Sequence, residues 1–114
     1  AANLARVLPQ GLMATVERET WSLPPVFRLL AEAGRVPQPD LERTLNLGVG
    51  MVAVVAPEIA AKSISVLVDA GIDAWEMGTI GHVTDEAAGA GLDFVQGAKG
   101  VDGGAVLMRG AYAA

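Results

Sequence analysis

The chain has 114 residues, 52% of them hydrophobic, and its 13 acidic and 8 basic side chains give a formal net charge of −5. This composition excludes a disordered chain and weighs against nucleic acid as a partner, since no basic patch is evident; the absence of cysteine excludes disulfides, thiolate-bound zinc and thiol nucleophiles. No apolar run approaches the ~20 residues of a membrane-spanning helix, no signal peptide is visible, and the length suits one domain with its own core. A cysteine-free chain of this kind fits a cytoplasmic protein. It opens on Ala1-Ala2-Asn3-Leu4 without Met, which fits a fragment of something longer.

In chain order, Asn3 to Leu8 reads as one or two helical turns ending at Pro9. Asn3 is a candidate N-cap because its side-chain oxygen can accept from a free first-turn N–H. Gln10-Gly11 makes a turn, and Leu12 to Val16 a short strand. Pro24-Pro25 opens a helix, proline being favoured where no N–H partner is needed. Val26, Leu29, Leu30 and Ala33 then fall on one helical face, with Gly34 as the stop. A second short helix fits Pro39 to Thr44.

Asn46-Leu47-Gly48-Val49-Gly50 leads into the apolar run Met51 to Ala56, which reads as a strand buried on both faces. Pro57-Glu58 restarts a helix with Ala60, Ile64, Leu67 and Val68 as its inward stripe and Gly71 as its end. Ala74 to Val83 reads as a strand interrupted by Gly78 and Gly81. Residues 84 to 104 are rich in Gly, Ala and Asp. Leu92 to Val95 and Ala105 to Met108 are strand candidates there, and Gly110 to Ala114 is expected to fray. There is no internal repeat. The order of strand, helices, strand, helix and two strands predicts an α/β (α+β) domain, a mixed sheet flanked by helices.

Several residues carry two readings. Asn46, Gly48 and Gly50 form a turn that either lines a ligand cleft or reflects close strand packing. Arg6 reads as an anion contact or a surface ion pair, and Arg43 as a cleft cation or a helix-end cation. His82, the only histidine, reads as a strand-end surface residue. Trp21 and Trp75 read as packing residues. Gly97 to Gly104, with Lys99 and Asp102, lacks the G-x-x-x-x-G-K-[ST] pattern of a phosphate loop and reads as a flexible hairpin loop. Asp40, Glu42, Asp85 and Glu86 read as solvated acids or helix starts.

Four segments, in order, carry a family resemblance. Asn3-Leu4-Ala5-Arg6-Val7-Leu8-Pro9 resembles an N-x-x-R-V-L-P segment of the aminoimidazole ribonucleotide synthetases, also called phosphoribosylformylglycinamidine cyclo-ligases. Trp21 with Pro25-Val26-Phe27-Arg28-Leu29-Leu30 resembles their W-x-x-P-x-[IV]-F-x-x-[LI] helix. Arg43-Thr44-Leu45-Asn46-Leu47-Gly48-Val49-Gly50-Met51 resembles their R-T-F-N-x-G-[IV]-G-M signature, and Gly71 to Gly78, around Ala74-Trp75, a helix-to-strand turn. The resemblance covers residues 3 to 83; it departs at Leu45, where Phe is usual, and at Glu42, where an aromatic is usual. Residues 84 to 114 match less well and look like a Gly-rich hairpin excursion and tail.

The resemblance implies a single C-terminal domain, residues 1 to 114, without the N-terminal ATP-binding domain. It implies an ATP- and Mg²⁺-dependent ligase of purine biosynthesis that acts as a homodimer on formylglycinamidine ribonucleotide. This domain would form one wall of the cleft against its own N-terminal domain, with no cofactor or metal of its own and no activity alone. The cleft candidates that follow are Asn3, Arg6, Arg43, Thr44, Asn46, Gly48 and Gly50. Two alternatives stay open. One is the same fold in a sister enzyme, such as a selenophosphate synthetase, thiamine monophosphate kinase, hydrogenase-maturation protein or formylglycinamidine synthetase. The other is a non-catalytic, oligomerising α/β domain.

Overall fold

The computed structural model describes residues 1–98 and 102–114. The elements are α1 (Ala2–Val7), β1 (Leu12–Glu17), α2 (Pro25–Gly34), α3 (Gln38–Thr44), α4 (Ala60–Asp69), β2 (Gly78–His82), α5 (Asp85–Ala88), β3 (Phe94–Ala98) and β4 (Asp102–Arg109), with short 3₁₀ turns before β3 and α4 and after β1. The four strands form one mixed sheet in the order β2-β1-β4-β3. β1 runs antiparallel to β2 and parallel to β4, and β3 pairs antiparallel with β4.

The period-2 alternation of β-strands divides the core between the sheet's two faces. Ala14 and Val16 of β1 join Val106 and Met108 of β4 on one face, where Ala5 of α1 and Leu8, the residue that follows it, cover them. Met13 and Ala105 face the other way and meet Ala87 of α5. Thr84 caps α5 by accepting the Ala87 N–H at 3.1 Å, the cap role that suits a threonine ahead of Asp85-Glu86.

Glycine governs how closely α1 approaches the sheet. A Cβ on Gly97 would lie 2.7 Å from the Ala5 carbonyl oxygen, and one on Gly103 would lie 2.9 Å from the same atom. The stretch expected as an excursion thus supplies β3 and the central strand β4, and its glycines form the floor on which α1 lies. Gly97, Gly103 and Gly104 sit in or beside paired strands, so a flexible hairpin loop does not describe them; Lys99 lies outside the described residues.

Other expectations change in detail. Asn3 lies inside α1, whose N-cap is Ala1, so its carbonyl is not spent on capping. β2 begins at Gly78 instead of Ala74, although one further bond from the Glu17 N–H to the Met77 carbonyl extends the pairing. α2 ends at Gly34 as expected, but the left-handed cap is the next residue: Arg35 takes that conformation, and the Val36 N–H closes the helix on the Ala31 carbonyl at 2.9 Å. Gly34 serves by leaving room, since its Cβ would meet Val36 Cγ2 at 3.1 Å.

The largest departure is residues 51 to 56. They form no strand and are exposed, because no described strand offers them a ladder; an extended run needs a neighbour to become a strand. The helices flanking this run show the same deficit. On α2 the half-buried residues are Phe27 and Ala31, while Val26, Leu29 and Leu30 stay exposed. On α4 only Ala60, Ser63 and Ile64 are half-buried, and Val66, Leu67 and Val68 are exposed. The apolar stripes are correctly periodic, but nothing in the described residues covers them. The tail also departs from expectation, since it is docked: Ala113 pairs with Ser22, and the Ala113 N–H donates to the Trp21 carbonyl at 3.1 Å.

Gly97→Ala should destabilise the fold by about 1–3 kcal/mol, the usual cost of forcing an atom into a packed contact. Gly81→Ala, where a Cβ meets nothing within 4 Å, should be neutral or slightly stabilising. Urea unfolding of the two variants checks the contrast.

Candidate functional site

The turn between α3 and residue 51 is the exposed feature with the most constrained backbone. Val49 donates its N–H to the Asn46 carbonyl at 3.0 Å, and Gly48 donates to the Asn46 Oδ1 at 3.0 Å. Leu47 and Gly48 both have positive φ, 56° and 94°, the pattern of a mirror-image turn that favours Asn and Gly. Gly48 is required twice over, by its φ and because a Cβ would lie 2.8 Å from Pro24 Cγ.

Leucine in this conformation costs on the order of 1–2 kcal/mol. Two contacts offset it. The Leu47 side chain is buried, at 4% exposure, and burial of a leucine stabilises by roughly 1.5–3 kcal/mol. Its carbonyl also accepts the Trp21 indole N–H at 3.2 Å. With the Asn46 Oδ1 committed to Gly48 on an exposed residue, the amide N–H groups are what remains to serve as donors for an acceptor on a ligand.

Trp21 is fixed in turn by aromatic neighbours. Its ring lies 5.2 Å from Tyr112, edge to face, and 6.0 Å from Trp75, both within the range of favourable aromatic pairs. The packing roles expected of the two tryptophans hold: Trp21 is half-buried against the main core cluster, and Trp75 against Trp21. The Trp75 indole N–H is buried with no partner among the described residues.

Tyr112 belongs to a second assembly, centred on Arg18. The Arg18 guanidinium donates from Nε and Nη2 to the two carboxylate oxygens of Glu42 at 2.8 and 3.1 Å. Nη2 also donates to Asp93 Oδ1 at 2.8 Å, and Nη1 to the Gly110 carbonyl at 3.1 Å. The Tyr112 hydroxyl donates to Glu42 Oε1 at 2.8 Å. Glu42 is therefore a buried partner and not the solvated acid expected of it; a buried carboxylate is retained only when paired. Sequence reasoning passed over Arg18 and Tyr112. The available signal was Glu42 itself, an acid at a position where the resembled pattern has an aromatic.

Burial and the Glu42 hydrogen bond hold the Tyr112 phenol well above its usual value; burial by itself lowers the Arg18 guanidinium, but its bonds to the Glu42 and Asp93 carboxylates outweigh that and hold it above its own.

The other expected site residues fall in two places. Arg43, Thr44, Asn46, Gly48 and Gly50 are exposed along the end of α3 and its turn, with the Thr44 hydroxyl donating to the Asp40 carbonyl at 2.8 Å. Asn3 and Arg6 are exposed on α1, where Arg6 Nη2 donates to Asn3 Oδ1 at 2.6 Å. His82 is exposed near the end of β2, as expected of a surface residue. Among the described residues no three His, Asp or Glu side chains converge as metal ligands, and no helix is long and apolar enough to cross a membrane.

Two stability measurements test the Arg18 assembly. Glu42→Ala should cost about 3–5 kcal/mol, the loss expected when one partner of a buried ion pair is removed. Asp93→Ala should cost less, since Asp93 is half-exposed, at 50%. For Tyr112, the unfolded phenol ionises near pH 10.0 while the folded one resists. The folded state then binds more protons, so the stabilisation is complete below pH 10 and is lost as pH rises beyond it. Unfolding midpoints measured from pH 8 to 11.5 should fall steeply above pH 10, and Tyr112→Phe should flatten that fall.

Comparison with known proteins gives the site its context. No protein-family model matches the chain, and no solved structure does. Among curated proteins, the chain is 48% identical over 113 residues to a Streptomyces fradiae protein named "Putative phosphoribosylformylglycinamidine cyclo-ligase", a match covering 99% of this chain and 55% of that protein. It is also 45% identical over 78 residues to the phosphoribosylformylglycinamidine cyclo-ligase of Cupriavidus pinatubonensis, covering 68% of this chain and 22% of that protein. The chain thus spans about half the length of the first relative and less of the second. The first match runs through the Gly-rich stretch after residue 83, which is therefore shared with that relative. Along its own length, this chain is a relative of the phosphoribosylformylglycinamidine cyclo-ligases, matching a C-terminal part of them.

Proposed function

We propose that the chain forms one wall of the substrate cleft of an ATP-dependent ligase that closes the imidazole ring of formylglycinamidine ribonucleotide, giving aminoimidazole ribonucleotide, ADP and phosphate. The observation that carries this reading is the Arg43–Met51 segment. It holds the R-T-x-N-x-G-x-G-M pattern, and it folds into an exposed turn whose strained backbone is held by buried contacts. Strain of this kind persists only where the surroundings enforce it, and it clusters at ligand sites. Similarity to cyclo-ligases over 99% of the chain supports the same reading.

In this reading ATP phosphorylates the formyl oxygen, an amidine nitrogen attacks the activated carbon, and phosphate leaves with the oxygen. The chain's own contribution is positioning. Asn46 offers amide donors to an acceptor on the substrate, while Arg43, on the same segment, supplies a cation suited to its phosphate; Arg6, apart on α1, is a second candidate cation. ATP and Mg²⁺ would be held by the N-terminal domain that the family resemblance implies; no step here runs through a metal held by this chain. The exposed stripes on α2 and α4 and the apolar run 51 to 56 are too extensive for a free surface. They fit coverage by the rest of a two-domain, homodimeric enzyme in the cytoplasm.

The test is ADP release by the intact protein that contains this chain, with formylglycinamidine ribonucleotide as substrate. Amidine-dependent turnover is the expected result. A folded, ATP-binding protein that ignores the amidine but acts on selenide or thiamine monophosphate would move the chain to a sister activity. Within the intact protein, Asn46→Ala should lower kcat/KM by about tenfold or more, as loss of a hydrogen bond to a charged or strongly polarised group does, with only the small fall in melting temperature that loss of the Oδ1 bond to Gly48 brings. Unaltered kinetics would remove Asn46 from the site.

A further inference from the structure

The turn that presents Asn46 is not held by its own two hydrogen bonds alone. Its Leu47 has φ 56°, a conformation leucine adopts only under constraint, and among the described residues the side chain bonded to the Leu47 backbone is Trp21, whose indole N–H donates to the Leu47 carbonyl at 3.2 Å. Trp21 is itself held from the far side. Tyr112 packs edge-on at 5.2 Å, the Ala113 N–H donates to the Trp21 carbonyl at 3.1 Å, and the Tyr112 hydroxyl is anchored on Glu42 at 2.8 Å.

We propose that Trp21 is a positioning residue for the proposed cyclo-ligase site: through its indole N–H it selects the left-handed form of Leu47 and so fixes the direction of the Asn46 amide. This rests on the reading of Asn46 as a cleft residue. Without the indole bond, Leu47 relaxes toward negative φ, and the Gly48 and Val49 bonds to Asn46 open together. The substrate then meets a site that is competent only part of the time, which weakens apparent affinity in proportion to that fraction and leaves the chemical step in bound complexes intact.

The test compares Trp21→Phe and Trp75→Phe in the intact protein. Each replaces an indole by a smaller aromatic ring, but only the first removes a hydrogen bond, because the Trp75 N–H has no partner among the described residues. Trp21→Phe should raise the KM for formylglycinamidine ribonucleotide by more than about twofold and at most about fivefold, the ceiling set by the worth of one net hydrogen bond, with kcat and the KM for ATP within about twofold. Trp75→Phe should leave all three within about twofold. A purely structural role for Trp21 predicts a lower melting temperature and lower kcat at unchanged KM, and that result overturns the proposal. Amide hydrogen exchange at Gly48 and Val49 gives a readout free of catalysis. It should quicken about fivefold in Trp21→Phe, in step with the same lost hydrogen bond, and stay unchanged in Trp75→Phe. If the wild-type protein fails to turn over the amidine, the cyclo-ligase reading fails, and exchange alone decides whether Trp21 holds the turn. Unchanged exchange in Trp21→Phe overturns the proposal whatever the kinetics.

Discussion

The buried guanidinium of Arg18 is the constraint around which the rest of the chain is arranged. It sits just past the end of β1 and reaches partners 24, 75 and 92 residues away in sequence, at Glu42, Asp93 and Gly110. A guanidinium cannot shed its charge, so burying it obliges every segment that could neutralise it to be present. α3 must bring Glu42, the turn before β3 must bring Asp93, and the tail must bring the Gly110 carbonyl. Such pairs are weak sources of net stability, because desolvation consumes most of the Coulomb gain. Their effect here is on specificity: a packing that misplaces any one segment leaves a charge buried and unpaired, and so is strongly disfavoured.

The apolar core could not impose that selection unaided. Its largest fully buried side chain is Val106, and alanine recurs among its members, at positions 5, 14, 87 and 105. Small residues and the glycines of β3 and β4 let α1 sit close to the sheet, so contact is made backbone to side chain over a thin layer. Apolar bulk is found instead on the outside, on α2, α4 and residues 51 to 56. The chain thus leaves many large hydrophobes exposed, while alanine shares its core with Leu8, Met13, Leu41, Leu47 and Met108.

Local chemistry was legible in the sequence where local chemistry decides. Proline at the start of α2 and Gly71 past the end of α4, at φ 84°, follow from backbone preferences alone. The mixed sheet with flanking helices was also readable, from alternating periodicities. What escaped were outcomes set by distant partners. The run 51 to 56 has the composition of a buried strand, yet pairing needs a neighbour that composition does not name. Gly110 to Ala114 has the composition of a loose end, yet Tyr112 and the Gly110 carbonyl are recruited by a charge far back in the chain. Glu42 was misread for the same reason, since nothing adjacent to it in sequence announces Arg18. At the candidate site, Asn46 and Gly48 were visible as turn residues. The left-handed leucine between them was not, because leucine has no preference for that conformation.

That leucine joins the two halves of the argument. A glycine at position 47 would adopt positive φ freely and would also leave it freely, so the turn would be permitted but not fixed. Leucine accepts the conformation only while its side chain stays buried and its carbonyl stays bonded to Trp21. The turn is therefore conditional on Trp21, which rests on Tyr112, which is bonded to Glu42, which is held by Arg18. A continuous set of contacts runs from the buried charge to the exposed Asn46 amide. Rigidity at the surface is then inherited from the one interaction in the fold that cannot be partly satisfied.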